Sequence, residues 1–213
     1  GLAAVRLFLP TAVSMPHLLL GLGNPGPQYR ETRHNVGFRV GEEIARRLGA
    51  SFEGDAARDE CGSRVLTLGD LTLALPQTFM NRSGYAARCL VEVHGFAPEE
   101  ILVVYDEVAL PLGRLRLRRG GSPAGHRGIE SILQQLRTDQ IPRLRLGVGR
   151  GERPPGEEGA IEAPPLPNLA DFVLSPFAPE ERDPVAAMIE RAADACTTWA
   201  AEGVEAAMTR WNG

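Results

Sequence analysis

The apolar residues fall into short blocks of two periods. LLLGL at 18 to 22 is a continuous apolar run closed by a Gly/Pro turn, which predicts a buried strand. Val36, Val40, Ile44 and Leu48 recur four apart, and this stripe predicts a helix from about Asn35 to Leu48. Residues 64 to 68 and 71 to 75 flank Gly69-Asp70 and read as a hairpin. A loop, QTFMNRSG, then leads into a helix from about Ser83 to His94. ILVVY at 101 to 105 is apolar throughout, the pattern of a central strand covered on both faces.

Beyond that run the pattern alternates. RLRLRR at 114 to 119 places Arg114, Arg116 and Arg118 on one side of a strand and leucines on the other. GGSPAG connects it to a helix near His126 to Leu136, and RLRLGVG at 143 to 149 is a further strand with two arginines on one side. Residues 150 to 168 are rich in Pro, Gly and Glu without apolar periodicity, and read as a long mobile loop. Order returns with an amphipathic helix from Pro184 to Ala201 (Val185, Met188, Ile189, Ala192, Cys196 and Trp199 on one face) and a shorter one from Val204 to Trp211. This alternation, without repeats or low-complexity blocks, predicts one α/β domain over 15 to 213. Its sheet should be mixed, mostly parallel and twisted, with helices on its flanks and at its C-terminus. Residues 1 to 14 are apolar, broken by Pro10 and too short to span a membrane, and read as an extension ahead of a natural start at Met15.

Composition sharpens this picture. All 23 Lys+Arg residues of the 213-residue chain are arginine, so P-loop, Schiff-base and kinase-type phosphate lysines are excluded. The net charge of -4 argues against nucleic acid, but its distribution argues for it: residues 113 to 150 hold nine arginines and only Glu130 and Asp139. Such a stretch on an acidic body predicts a local surface for polyanions, held through phosphates because no aromatic residue lies within it. Cys61, Cys89 and Cys196 have no metal-like spacing, and their odd number predicts three buried thiols in a reducing compartment, the cytoplasm.

For chemistry, GLGNPG at 21 to 26 fits a dinucleotide fingerprint, with Glu42 and Glu43 about twenty positions on. Pro25 and Pro27 remove N–H donors where a pyrophosphate would need them, so a stiff loop holding Asn24 is the better reading. Asn24, Asn81 and Asp106 each follow an expected strand. If those strands are parallel, all three meet at one carboxyl edge together with His34 at the next helix entry. A His held by an Asp is a general-base unit, and neither a GxSxG elbow, a placed cysteine nor a metal motif competes with it. Activated water is the nucleophile that remains, with an amide such as Asn81 donating to an oxyanion. Local roles stay open: a helix-entry hydrogen bond for His34, a turn cap for Asp106 and left-handed turns for the asparagines. His126, beside the arginine stretch, is the other candidate histidine.

Six ordered blocks, LLLGLGNPGPQYRETRHNVGF, PQTFMNRSG, VYDEVALPLGRLRLRRGG, GHRGIESI, RLRLGVGR and FVLSPF, closely resemble bacterial peptidyl-tRNA hydrolase from about Pro16 to the C-terminus. The resemblance implies a monomeric α/β enzyme without cofactor or metal that cleaves the ester joining peptide to tRNA and so recycles peptidyl-tRNA from stalled ribosomes. It places the catalytic residues at His34, Asp106, Asn81 and Asn24. It further implies substrate contacts at Tyr29, Phe79 and Met80 near the terminal adenosine and peptide, and at His126 and Arg127. An acceptor-stem clamp falls on Arg116 and Arg118, with a further contact from Arg145 or Arg143. One departure stands out: GHRG puts Arg127 where the family motif has asparagine, for which altered contact geometry without loss of activity is expected. Two other readings belong beside the enzyme. Plant organellar relatives use this fold as an RNA-binding scaffold in splicing, and GLGNPG alone would point to a nicotinamide enzyme.

Overall fold

The computed structural model describes residues 16 to 149 and 168 to 212. The expected 1 to 14 extension and all but the last residue of the 150 to 168 loop lie outside these described residues. The first half contains β1 (His17–Gly21), α1 (Val36–Arg47), β2 (Arg58–Glu60), β3 (Ser63–Leu68), β4 (Leu71–Pro76) and α2 (Ser83–His94). The second contains β5 (Ile101–Pro111), β6 (Leu115–Arg118), α3 (Arg127–Leu136), β7 (Arg143–Gly149), α4 (Leu169–Val173) and α5 (Arg182–Trp211). All seven strands share one sheet in the order β2-β3-β4-β1-β5-β7-β6. The β4-β1, β1-β5 and β5-β7 pairings are parallel, and the outer pairings are antiparallel. The expected mixed α/β domain is therefore present.

The centre of the sheet is buried on both faces. On one side Leu19, Leu73, Leu102, Leu144 and Leu146 pack with α1 and α5 around Val40, Ile44, Met188 and the fully enclosed Trp199. On the other side Leu18, Leu20, Val103 and Tyr105 pack with α2 and α3 around Leu90, Ile129 and Ile132. Two glycines set how closely the helices approach. A Cβ at Gly37, in the first turn of α1, would strike Val104 O and the Leu22 backbone, so α1 starts directly over the end of β1 and the neighbouring stretch of β5. A Cβ at Gly84 would strike Ser131 O, which lets α2 and α3 touch backbone to backbone.

Several details depart from the sequence pattern. β5 does not end after ILVVY but continues through Asp106 to Pro111, because β7 supplies a partner beyond the end of β1. Asp106 is thus a strand residue and not a turn cap. The C-terminal helices form one run interrupted at Gly203, whose φ of 86° is non-helical. Cys61 and Cys89 form a disulfide between the β2–β3 turn and α2, so the expectation of three free thiols holds only for buried Cys196, and the cysteines no longer argue for a reducing compartment. The fold brings these two cysteines together across 28 positions, which counting and spacing could not reveal. Burial pushes the Cys196 thiol far above its ordinary pKa. No helix among the described residues is long and apolar enough to cross a membrane.

Candidate active site

The parallel strands β4, β1 and β5 deliver their carboxyl ends to one edge. The segment after β1 leads to α1 on one face, whereas the segment after β4 leads to α2 on the other. Such a divergence leaves a crevice at the strand ends. A cleft of about 510 Å³ opens there, lined by Asn24, Tyr29, His34, Phe79, Met80, Asn81, Asp106, His126 and Arg127, with Glu107 and the apolar lip Leu169, Val173 and Leu174. All four residues expected to carry catalysis line it.

Asp106 lies at the centre and is 2% exposed. Its carboxylate accepts from His34 Nδ1, at 2.8 Å to Oδ1 and 2.9 Å to Oδ2, and from His126 Nε2 at 3.0 Å to Oδ1. Burial alone would raise the Asp106 pKa, but the two imidazoles outweigh it and hold the carboxyl well below the usual range. The ionised carboxylate accepts the Nδ1 proton of His34, and this selects the tautomer whose Nε2 lone pair is free. No described residue hydrogen-bonds that Nε2, and it is not sealed from solvent. His126, expected among the substrate contacts, has both nitrogens engaged within the protein, since its Nδ1 accepts from Ile129 N at 3.2 Å and caps α3.

The remaining expected residues divide by position. Asn24 is 7% exposed and its Oδ1 accepts from Met80 N at 2.8 Å, while Asn81 is exposed in the short turn before α2. Phe79 is 58% exposed at the lip, Met80 is buried beneath it, and Arg127 is exposed at the start of α3. Arg116, Arg118 and Arg145 lie outside the cleft, on the face of β6 and β7 opposite Leu115 and Leu117. Arg116 and Arg118 have no ion-pair partner among the described residues, whereas Arg145 Nη2 meets Glu107 Oε2 at 2.7 Å. Arg143 is 3% exposed and bonds the carbonyls of Gly121 and Ser122, so it holds the loop leading to His126 and is not presented to a ligand. Asn35, Arg33 and Glu107 were not anticipated. Their roles are contacts made across the fold, for which no local spacing gives a signal.

His34, Asp106 and His126 also form a group whose ligand atoms lie within 4.8 Å of one another and could hold a metal ion, which their separation in sequence had hidden. An ion there would displace the protons that now join the carboxylate to both rings. The GLGNPG segment makes no nucleotide cradle, because α1 begins only at Val36.

A family model described as peptidyl-tRNA hydrolase matches residues 18–213. The chain belongs to the peptidyl-tRNA hydrolase family. The enzyme of Methylacidiphilum infernorum is 43% identical over 194 residues, covering 91% of this chain and 96% of that one. That of Chloroflexus aggregans is 42% identical over 196 residues, covering 92% and 98%. The crystal structure of the Acinetobacter baumannii hydrolase superposes with a TM-score of 0.76 at 29% identity, over 96% of this chain and 98% of that one. This chain is accordingly a hydrolase of the ester bond in peptidyl-tRNA.

Proposed function

We propose that His34 is the general base of this hydrolase and that Asp106 holds and polarises it. The observation that carries this reading is the buried Asp106 carboxylate bonded to His34 Nδ1, with Nε2 open to the cleft. A water on Nε2 loses its proton to the imidazole and attacks the ester carbonyl. Asp106 stabilises the resulting imidazolium, and Asn81 donates to the oxyanion. The imidazolium then returns the proton to the departing ribose oxygen. An ester is a good electrophile, so one base with positioning groups is chemically sufficient. His126 fixes the second side of Asp106. Asn24 contacts the substrate beside the ester, and Tyr29, Phe79 and Met80 receive the terminal adenosine and the adjoining peptide. Arg127 donates to a carbonyl or phosphate at the cleft mouth.

The acceptor stem lies along Arg116 and Arg118, whose charges are uncompensated among the described residues. Arginine forks suit phosphate, and a chain without lysine has no other permanent cation to offer. Arg145 reaches the stem only by sharing its charge with Glu107. In this reading the protein acts as a monomer in the cytoplasm, without cofactor or metal. The test is release of an N-blocked aminoacyl group from tRNA by purified protein in the presence of a chelator. Undiminished release supports the activated-water reading, and loss that is restored by added metal would replace it with a metal bound at His34, Asp106 and His126.

A further inference from the structure

Asn35 follows the proposed base directly in sequence and has no part in the chemistry above. It is nevertheless 2% exposed, and both ends of its amide are bonded to one residue. Its Oδ1 accepts from Asn24 N at 2.9 Å, and its Nδ2 donates to Asn24 O at 2.9 Å. A planar amide that grips both backbone groups of Asn24 fixes where the chain leaves β1. It does so across 11 positions, in a loop where Pro25 and Pro27 offer no backbone N–H of their own.

The side chain of Asn24 is then determined. Its Oδ1 faces the backbone N–H of Met80 at 2.8 Å, and only the oxygen can accept there, so the amide cannot be the other way round. The Nδ2 end has no partner among the described residues, is not sealed from solvent, and belongs to a residue lining the cleft. Asn24 therefore offers the cleft a free donor at Nδ2, while its Oδ1 is already engaged by Met80 N.

We propose that Asn35 is a positioning residue of the hydrolase, holding Asn24 so that its Nδ2 meets an uncharged substrate oxygen, a peptide carbonyl or ribose oxygen beside the ester. The inference rests on the reading of His34 as base. Because His34 and Asn35 are covalent neighbours, one short turn sets both the base, through Asp106, and the donor, through Asn24. Their spacing cannot change without disturbing one of the two sets of bonds. A displacement of about 1 Å at such a group is enough to cost on the order of 10²-fold in rate.

The test is a four-member cycle of wild type, Asn35→Ala, Asn24→Ala and the double variant, assayed for kcat and KM on N-blocked aminoacyl-tRNA, with the melting temperature of each. The expected result is a kcat loss for Asn35→Ala on the order of 10²-fold in the wild-type background. In the Asn24→Ala background the further loss should be under about threefold, since the donor that Asn35 places is already gone. The melting temperature should fall by the same amount in both backgrounds. If Asn35→Ala does not fold, Asn35→Asp replaces it in the cycle. The carboxylate still accepts from Asn24 N–H but cannot donate to Asn24 O, and the same coupling is expected. Equal kcat losses in both backgrounds, or no loss from Asn24→Ala, overturn the proposal. His34→Ala is assayed alongside: if it keeps full turnover, the reading of the base fails, whereas an inactive His34→Ala with an additive cycle removes only Asn35.

Discussion

At the residue scale, one carboxylate organises the site. Asp106 is bonded to two imidazoles, and replacing it by Asn removes the negative charge they share and puts an NH2 donor in place of one of its two oxygens, both of which lie within 2.9 Å of His34 Nδ1. Asp106→Asn should lower kcat by at least ~10²-fold while leaving the affinity for tRNA near normal, as read by single-turnover kinetics and a binding titration. The same carboxyl makes a pH prediction. Its folded pKa lies below its ordinary value of 3.8, so its contribution to stability is full above that value and is lost as pH falls through the folded one. The stability advantage of wild type over Asp106→Asn, measured by denaturant unfolding, should shrink as pH falls below about 4. An advantage that keeps growing as pH falls below about 4 would contradict the assignment. That His34, Asp106, Asn24 and Asn81 would line one cleft was legible because parallel strands carry the segments that follow them to one edge, even though Asp106 lies within β5 and not after it. Asn35 was not, because a buried amide whose partners are another residue's backbone groups leaves no pattern in the sequence.

At the element scale, the helices were legible where a stripe was long. α2 runs from Ser83 to His94 as its pattern indicates, while β2 was missed because Arg-Asp-Glu carries no apolar alternation. β5 was read as ending at Tyr105 because its apolar run stops there, although β7 keeps it extended to Pro111. The Cys61–Cys89 disulfide ties the β2–β3 turn to α2, and Glu60 adds a second tie to His94 at 3.0 Å. Because the bridge closes a loop of 28 positions, Cys89→Ser should cost roughly 2 to 4 kcal/mol in chemical unfolding under non-reducing conditions. A variant as stable as wild type would show that the bridge adds nothing to the fold. The close approach at Gly37 gives a sharper test of how the fold serves the site. Gly37→Ala forces α1 away from Val104 and Leu22, and should cost roughly 1 to 3 kcal/mol together with activity, because His34 sits in the turn that α1 continues. Full activity in a destabilised Gly37→Ala variant would separate the seat of α1 from the chemistry.

At the scale of the whole molecule, charge and chemistry occupy different parts of the same sheet. The proposed reacting groups gather beyond the ends of β1 and β4 and at Asp106 within β5, while Arg116 and Arg118, without an ion-pair partner among the described residues, lie on edge strand β6, opposite Arg145 and Arg143 of β7. A net charge of -4 conceals this division, and the run of alternating arginine and leucine from 114 reveals it. What the run could not reveal is which arginines are already engaged, since Arg143 and Arg145 are partnered across the fold. Replacing Arg116 and Arg118 together by alanine should raise KM for peptidyl-tRNA and flatten its salt dependence, with little effect on a minimal substrate lacking the stem. Equal losses on both substrates would place the stem elsewhere. The central claim, that the fold exists to present His34 Nε2 to a water beside the ester, is tested most directly by turnover of N-blocked aminoacyl-tRNA by His34→Ala against wild type. A loss of at least ~10²-fold in kcat with tRNA affinity retained is expected, and wild-type turnover in that variant would contradict the role of His34.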